Sequence, residues 1–217
     1  MRFRQPVSGL MHFFAAAAAV CGWAALVVIG RGPAGKIVAL SIYGFSLALM
    51  FGASAAYHLV NAGPKVEALL RKLDHTAIYL LIAGSYTPIC YIRLAGFWKW
   101  GMLAMIWSLA LIGIGVKIFV IKAPRWITAG VYVVMGWLSL LAVRQIVAAL
   151  PSGALVGLAA GGIIYTLGAV VYIVKKPDFV PGVFGFHELW HLFVILAALA
   201  HFIAIAGYIA PAAIPGT

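Results

Sequence analysis

The chain has 217 residues, 65% hydrophobic and only 9% charged; a soluble domain carries about 45–50% apolar and ~25% charged residues, so a soluble globular fold is excluded. Fifteen Lys and Arg against four acids give a net charge of +11, but the basic residues lie in the gaps between apolar runs. That placement is how membrane proteins fix their orientation, and it argues against nucleic acid as a partner.

Apolar runs of helix length, broken at clusters of charge, Gly and Pro, occur at about 10–29, 37–60, 73–92, 100–121, 126–147, 155–174 and 186–209. A bilayer-spanning helix needs ~20 apolar residues, so the pattern predicts an all-α, polytopic bundle of seven transmembrane helices. The first run follows Arg2 and Arg4, as a signal peptide would. Its apolar core exceeds the usual ~7–15 residues and has no clear cleavage site, so it is expected to be an uncleaved span. The intervening breaks are too short for a soluble domain, and no repeat of fixed period is present. One integral membrane domain over residues 1–217 is expected.

Orientation follows from the basic residues on alternate sides. With the N-terminus inside, the inner side holds Arg2, Arg4, Lys65, Arg71, Lys72, Lys117, Lys122, Arg125, Lys175 and Lys176; the outer side holds Arg31, Lys36, Arg93, Lys99 and Arg144. Ten against five predicts a cytoplasmic N-terminus and an external C-terminus. Trp98, Trp100, Trp107 and Trp126, near run ends, suit an interfacial aromatic belt. Cys21 and Cys90 both fall in apolar stretches, offer neither a disulfide framework nor a metal knuckle, and are expected to be free core thiols.

Ionisable groups within spans are costly and raise a functional question by default. They are His12, His58, Asp74, His75, His187, Glu188, His191 and His201. In the predicted topology His58 ends the second span, Asp74 and His75 open the third, and His187 and His191 open the seventh. All five therefore sit at similar depth near the cytoplasmic leaflet. His187 and His191 are i and i+4 on one helical face, a spacing at which two imidazoles reach one metal ion. Ser54 is one turn from His58. Three His ligands leave the fourth position of a tetrahedral zinc ion open, as in catalytic sites. Asp74 would be the nearby carboxylate that accepts the proton of a water held there.

Plainer readings stand beside these. Asp74, after Arg71 and Lys72, could be the N-cap of the third span, and His58 could bond a loop carbonyl. His187-Glu-Leu-Trp-His191 also matches H-E-x-x-H, the metalloprotease helix in which Glu is the general base. That fold needs a third downstream ligand, and the one downstream His, His201, lies ~15 Å further along the helix. Glu188, turned ~100° from His187, is expected to face a loop or a basic partner. His201 is expected to hydrogen-bond across helices, with a proton-path role as the alternative. His12 is read as an outer partner of the site or an interfacial His, and His75 as a bystander. Thr87-Pro88 reads as a kink or a helix end.

At these residues the sequence resembles the hemolysin III family, the bacterial members of the PAQR (progestin and adipoQ receptor) group. The matching parts are Pro6-Val-Ser-Gly-Leu-Met-His12, Ser54-Ala-Ala-Tyr-His58, Leu73-Asp-His-Thr-Ala-Ile-Tyr79, Ala83-Gly-Ser-Tyr-Thr-Pro88, Tyr132-Val-Val-Met-Gly-Trp137 and, most specific, Phe184-Gly-Phe-His-Glu-Leu-Trp-His-Leu-Phe-Val194 with His201-Phe-Ile-Ala204. The wider superfamily includes alkaline ceramidases and is marked by a Ser, an Asp and three His, which fall here on Ser54, Asp74, His58, His187 and His191. The resemblance implies a zinc ion (Zn2+) held by the three His near the cytoplasmic side of a seven-helix bundle, and a cytoplasmic N-terminus. The chain departs from the receptors in lacking their long N-terminal region, so a hormone-receptor role is not carried over, and no polar stripe signals a pore.

The leading functional expectation is a zinc-dependent hydrolase of an amide bond in a membrane lipid, acting in membrane lipid homeostasis in the bacterial inner membrane. His58, His187 and His191 would ligate, Asp74 would be general base and then acid, and Ser54 would orient Asp74 or the oxyanion. The alternatives are a non-enzymatic membrane sensor with a structural zinc site and a proton-linked transporter or channel.

Overall fold

The fold is that of a computed structural model, which describes residues 4–119, 123–180 and 182–215. Among the described residues eight α-helices follow one another: α1 (Pro6–Ile29), α2 (Ala34–Leu59), α3 (Pro64–Arg93), α4 (Gly96–Phe119), α5 (Arg125–Trp137), α6 (Val143–Ala149), α7 (Ser152–Val174) and α8 (Phe186–Ala204). A 3-10 segment, Leu138–Ala142, joins α5 to α6, and a π turn, Ile205–Ile209, closes α8. Among the described residues there is no strand beyond an isolated backbone pair between Val180 and Phe184. Arg2 and Lys122, counted in the orientation argument, lie outside the described residues.

Proline sets the helix starts. Pro6 and Pro64 occupy the first turns of α1 and α3, where the missing N–H would be unpaired in any case. Pro33, Pro124 and Pro151 are the residues just before α2, α5 and α7, and their fixed φ directs the chain into each helix.

Among the described residues six helical stretches are long and apolar enough to cross a membrane: α1, α2, α4, Arg125–Ala149, α7 and Phe186–Ile209. With the helices that make up the described residues, this describes a polytopic membrane bundle. Its outer face is apolar as well as its core. The buried stripe of α1 is Ser8, Gly9, His12, Ala19 and Leu26, whereas Phe13, Phe14, Val20 and Val28 are exposed. Small and polar residues turn inward because lipid is as apolar as any core, so helices associate by close packing and hydrogen bonds. Gly44 of α2 shows the close approach: a Cβ there would stand 2.5 Å from Cδ1 of Trp23 on α1.

The helices form a ring. α1, α2, α3 and α4 pack in sequence; α5 packs on α3 and α7; α7 packs on α8; and α8 returns to α1. α4 stands outside, resting on α3 and the 3-10 segment.

Three expectations are corrected. The third helix begins at Pro64 rather than near 73, because its first turns carry Lys65, Glu67, Arg71 and Lys72 and so escape a search for apolar runs. Asp74 is therefore in mid-helix and is not an N-cap. The fifth run is not one helix, since the 3-10 segment interrupts it. Its cause is Tyr86 of α3, whose hydroxyl donates to the carbonyls of Gly136 (2.7 Å) and Met135 (3.0 Å) and accepts from the Ser139 N–H (2.8 Å). In an unbroken helix Ser139 would donate to Met135; the phenol has inserted itself into that bond. Last, Cys21 is exposed on the outer face of α1, and only Cys90 is a buried thiol.

Candidate metal centre

His58 ends α2, and His187 and His191 occupy the first two turns of α8. One ring nitrogen from each of the three lies within 4.8 Å of the others, a group that could hold a metal ion. The fit to an ion can be tested on the nitrogens. His191 Nε2 and His187 Nε2 face each other at 3.2 Å. Two nitrogens each ~2.0–2.1 Å from one tetrahedral ion would stand ~3.3–3.4 Å apart, so the spacing suits shared ligation. The rings meet edge to face, with centroids 4.7 Å apart for His58–His191 and His187–His191 and 5.2 Å for His58–His187. An all-imidazole donor set suits a borderline metal such as zinc.

Outer contacts fix the rings. His58 Nδ1 is bonded to Gln5 Oε1, which leaves Nε2 for the cluster. His191 Nδ1 lies 2.9 Å from His12 Nε2. Glu188 takes no part in the cluster. Its carboxylate accepts from Ser8 Oγ (2.9 Å) and from the Gly185 N–H (3.0 Å), so it holds the first turn of α8 against α1. The sequence places Glu188 against a loop, and the Gly185 contact bears that out.

All three His line one cavity of about 470 Å³. Asp74 and Ser54 line it too. Ser54 is buried, and its hydroxyl hydrogen-bonds the Asp74 side chain. Asp74 keeps 16% of its side chain accessible, on the cavity wall. The remaining lining is mixed: apolar and aromatic side chains such as Leu47, Met50, Tyr132, Val194 and Trp190, and the basic residues Arg71, Lys117 and Arg125. Lys117 is only 7% exposed and donates to Thr128 Oγ1 at 3.3 Å. Arg125 lies over the Tyr172 ring at 5.1 Å. Such a chamber can receive an apolar chain and present a polar group to the imidazoles.

The remaining sequence candidates separate clearly. His201 lines the same cavity but stays out of the cluster, with Nε2 3.1 Å from the Leu158 carbonyl of α7; this is the expected cross-helix bond. His75 Nδ1 bonds the Arg71 carbonyl at 2.7 Å, a local contact within α3. Pro88 lies inside α3, which continues to Arg93. His12 is an outer partner rather than an interfacial residue, being 2% exposed and in contact with His191. Gln5 and Ser8 went unnoticed in the sequence. Only their spacing from His12, seven and four positions respectively, could have signalled them.

A family model described as Haemolysin-III related matches residues 2–202. Hemolysin-3 of Bacillus cereus is 40% identical over 185 residues, which cover 84% of this chain and 80% of that protein. Monocyte to macrophage differentiation factor of Homo sapiens is 32% identical over 207 residues, 91% of this chain and 81% of the relative. An adiponectin receptor protein of Drosophila melanogaster is 30% identical over 171 residues, 70% of this chain but 38% of the receptor.

Proposed function

The chain belongs to the haemolysin-III related family, and from that premise we propose that it is a zinc-holding hydrolase of a lipid amide bond in the bacterial inner membrane. It forms one seven-span domain with a cytoplasmic N-terminus. The seventh span is α3, whose Asp74, His75 and hydroxyl residues lower its apolarity and whose neighbours are α2, α4 and α5. Ten of fifteen basic residues on the N-terminal side support the orientation.

The observation that carries the activity is the meeting of three imidazoles, one carboxyl and one hydroxyl from three helices on a single cavity. His58, His187 and His191 hold the ion. When bound, zinc supplies a Lewis acid for the amide carbonyl and lowers the pKa of water from 15.7 towards ~7. Asp74 takes a proton from the attacking water and returns it to the amine nitrogen as the C–N bond breaks. Ser54 holds the Asp74 carboxyl in its orientation through their hydrogen bond. The apolar and aromatic walls hold the acyl chain, so the substrate is a membrane lipid.

A second reading has its own support. α2 and α8 carry the ligands but pack mainly on other helices. A metal there would tie them across the ring, as a structural clamp in a membrane sensor without turnover.

One experiment separates the readings. Metal content is measured by mass spectrometry on detergent-purified wild type, His191→Ala and Asp74→Asn, and fatty-acid release from ceramide-like and acyl-amide lipids is followed. The expected result is one zinc per chain, lost in His191→Ala and kept in Asp74→Asn, with release only by wild type. Zinc without release from any of these lipids favours the clamp. Protein purified without chelators that holds no stoichiometric metal refutes both.

A further inference from the structure

We propose that the N-terminal end of α1 is the outer brace of the metal site, with His12 as the hydrogen-bond acceptor that fixes His191 for ligation. This rests on the metal reading above. Ser8 and His12 stand at i and i+4, on one side of α1, and Gln5 is the residue that caps its start. Each reaches one of the three ligand positions. Gln5 accepts from His58 Nδ1 through its side chain and donates its backbone N–H to the His58 carbonyl at 3.0 Å. Ser8 donates to Glu188 at 2.9 Å and so anchors the turn that bears His187. His12 Nε2 stands 2.9 Å from His191 Nδ1.

The last contact constrains the protons. For His191 to ligate through Nε2, its Nδ1 must carry hydrogen and donate to His12 Nε2. His12 then carries its own proton on Nδ1, and that atom is buried without a hydrogen-bond partner. A lone buried donor is costly, so packing alone does not account for a histidine here. Phe51, edge-on at 5.1 Å, holds the ring in place. The brace orients and polarises ligands and touches no substrate; these are positioning residues.

Removing such an outer partner typically costs 10–100-fold in metal affinity. The test titrates zinc against a competing chelator on full-length, detergent-purified wild type, His12→Ala, His12→Gln and Gln5→Ala, with helicity by circular dichroism and apo-protein melting recorded beside it. The expected result is a 10–100-fold weaker zinc affinity in His12→Ala at unchanged helicity and apo melting. His12→Gln, whose amide oxygen reaches the place of Nε2, is expected to recover much of the loss, and Gln5→Ala to weaken affinity through His58. Should His12→Ala fail to fold, the other two variants carry the test. Wild-type affinity in the folded His12 variants and in Gln5→Ala would overturn the brace while leaving the metal site standing. A wild type that binds no zinc would instead overturn the metal reading and the brace with it.

Discussion

Tyr86→Phe and Tyr43→Phe make the same chemical change in two buried places and are expected to differ in outcome. The Tyr86 hydroxyl satisfies the Ser139 N–H and donates to the Gly136 and Met135 carbonyls. The phenyl ring of the variant still fills the gap, so the interrupted helix does not close around it. An N–H left without an acceptor in an apolar interior costs about 1–3 kcal/mol, and the lost donated bond adds ~0.5–1.5. The total is about 2–4 kcal/mol, which for a chain of this length corresponds to a melting shift of roughly 4–16 °C. The Tyr43 hydroxyl, equally buried, has no hydrogen-bond partner among the described residues. Its removal leaves no partner unpaired and is expected to be neutral or stabilising. The assay is thermal melting of both variants in detergent, with zinc content as a check on the site. Equal shifts in the two variants would refute the argument that the phenol of Tyr86 is what sustains the break between α5 and α6.

Chelation should destabilise the wild type. An ion present at ~100 times its dissociation constant contributes about 2.7 kcal/mol, so a melting drop of roughly 5–11 °C is expected; no drop would show that the metal does not tie α2 to α8, and His191→Ala should not respond. Gly44→Ala forces a methyl against the Trp23 indole and is expected to cost about 1–3 kcal/mol. Gly52→Ala meets nothing within 4 Å and should be neutral or stabilising by up to ~1 kcal/mol, so equal melting of these two would contradict the α1–α2 packing. A reporter active only outside the cytoplasm should work when fused at the C-terminus, and its silence would reverse the orientation. A small maleimide in detergent is expected to modify Cys21 and spare Cys90, and Cys90 labelling in the folded Cys21→Ser variant would contradict its burial.

The sequence speaks clearly where hydrophobicity decides and says less where a distant residue does. The apolar runs locate the six most apolar stretches to within a few residues of their ends, because lipid demands that uniformity. α3 is under-read at its start, where Lys65 and Glu67 begin a helix that is not apolar. The break after Trp137 has no local signature, since Leu138–Ala142 is as apolar as its flanks; it exists because Tyr86 arrives from another helix. The metal group is legible because His187 and His191 share a helix face and His58 falls at matching depth. His12 could only be left between two readings, because its contact with His191 depends on how α8 returns to α1.

That return has a consequence for how the protein is made. The contacts Ser8–Glu188 and His12–His191 join residues 180 and 179 positions apart. At ~5–20 residues per second of synthesis, roughly 10–40 s separate the emergence of His12 from that of its partner. Through that interval the membrane holds a half-ring with His58 and its Gln5 brace but no second imidazole from α8. The three-imidazole group is therefore complete only after the last helix inserts, and a ribosome stalled before it leaves a chain with one of the three imidazoles and no site for an ion.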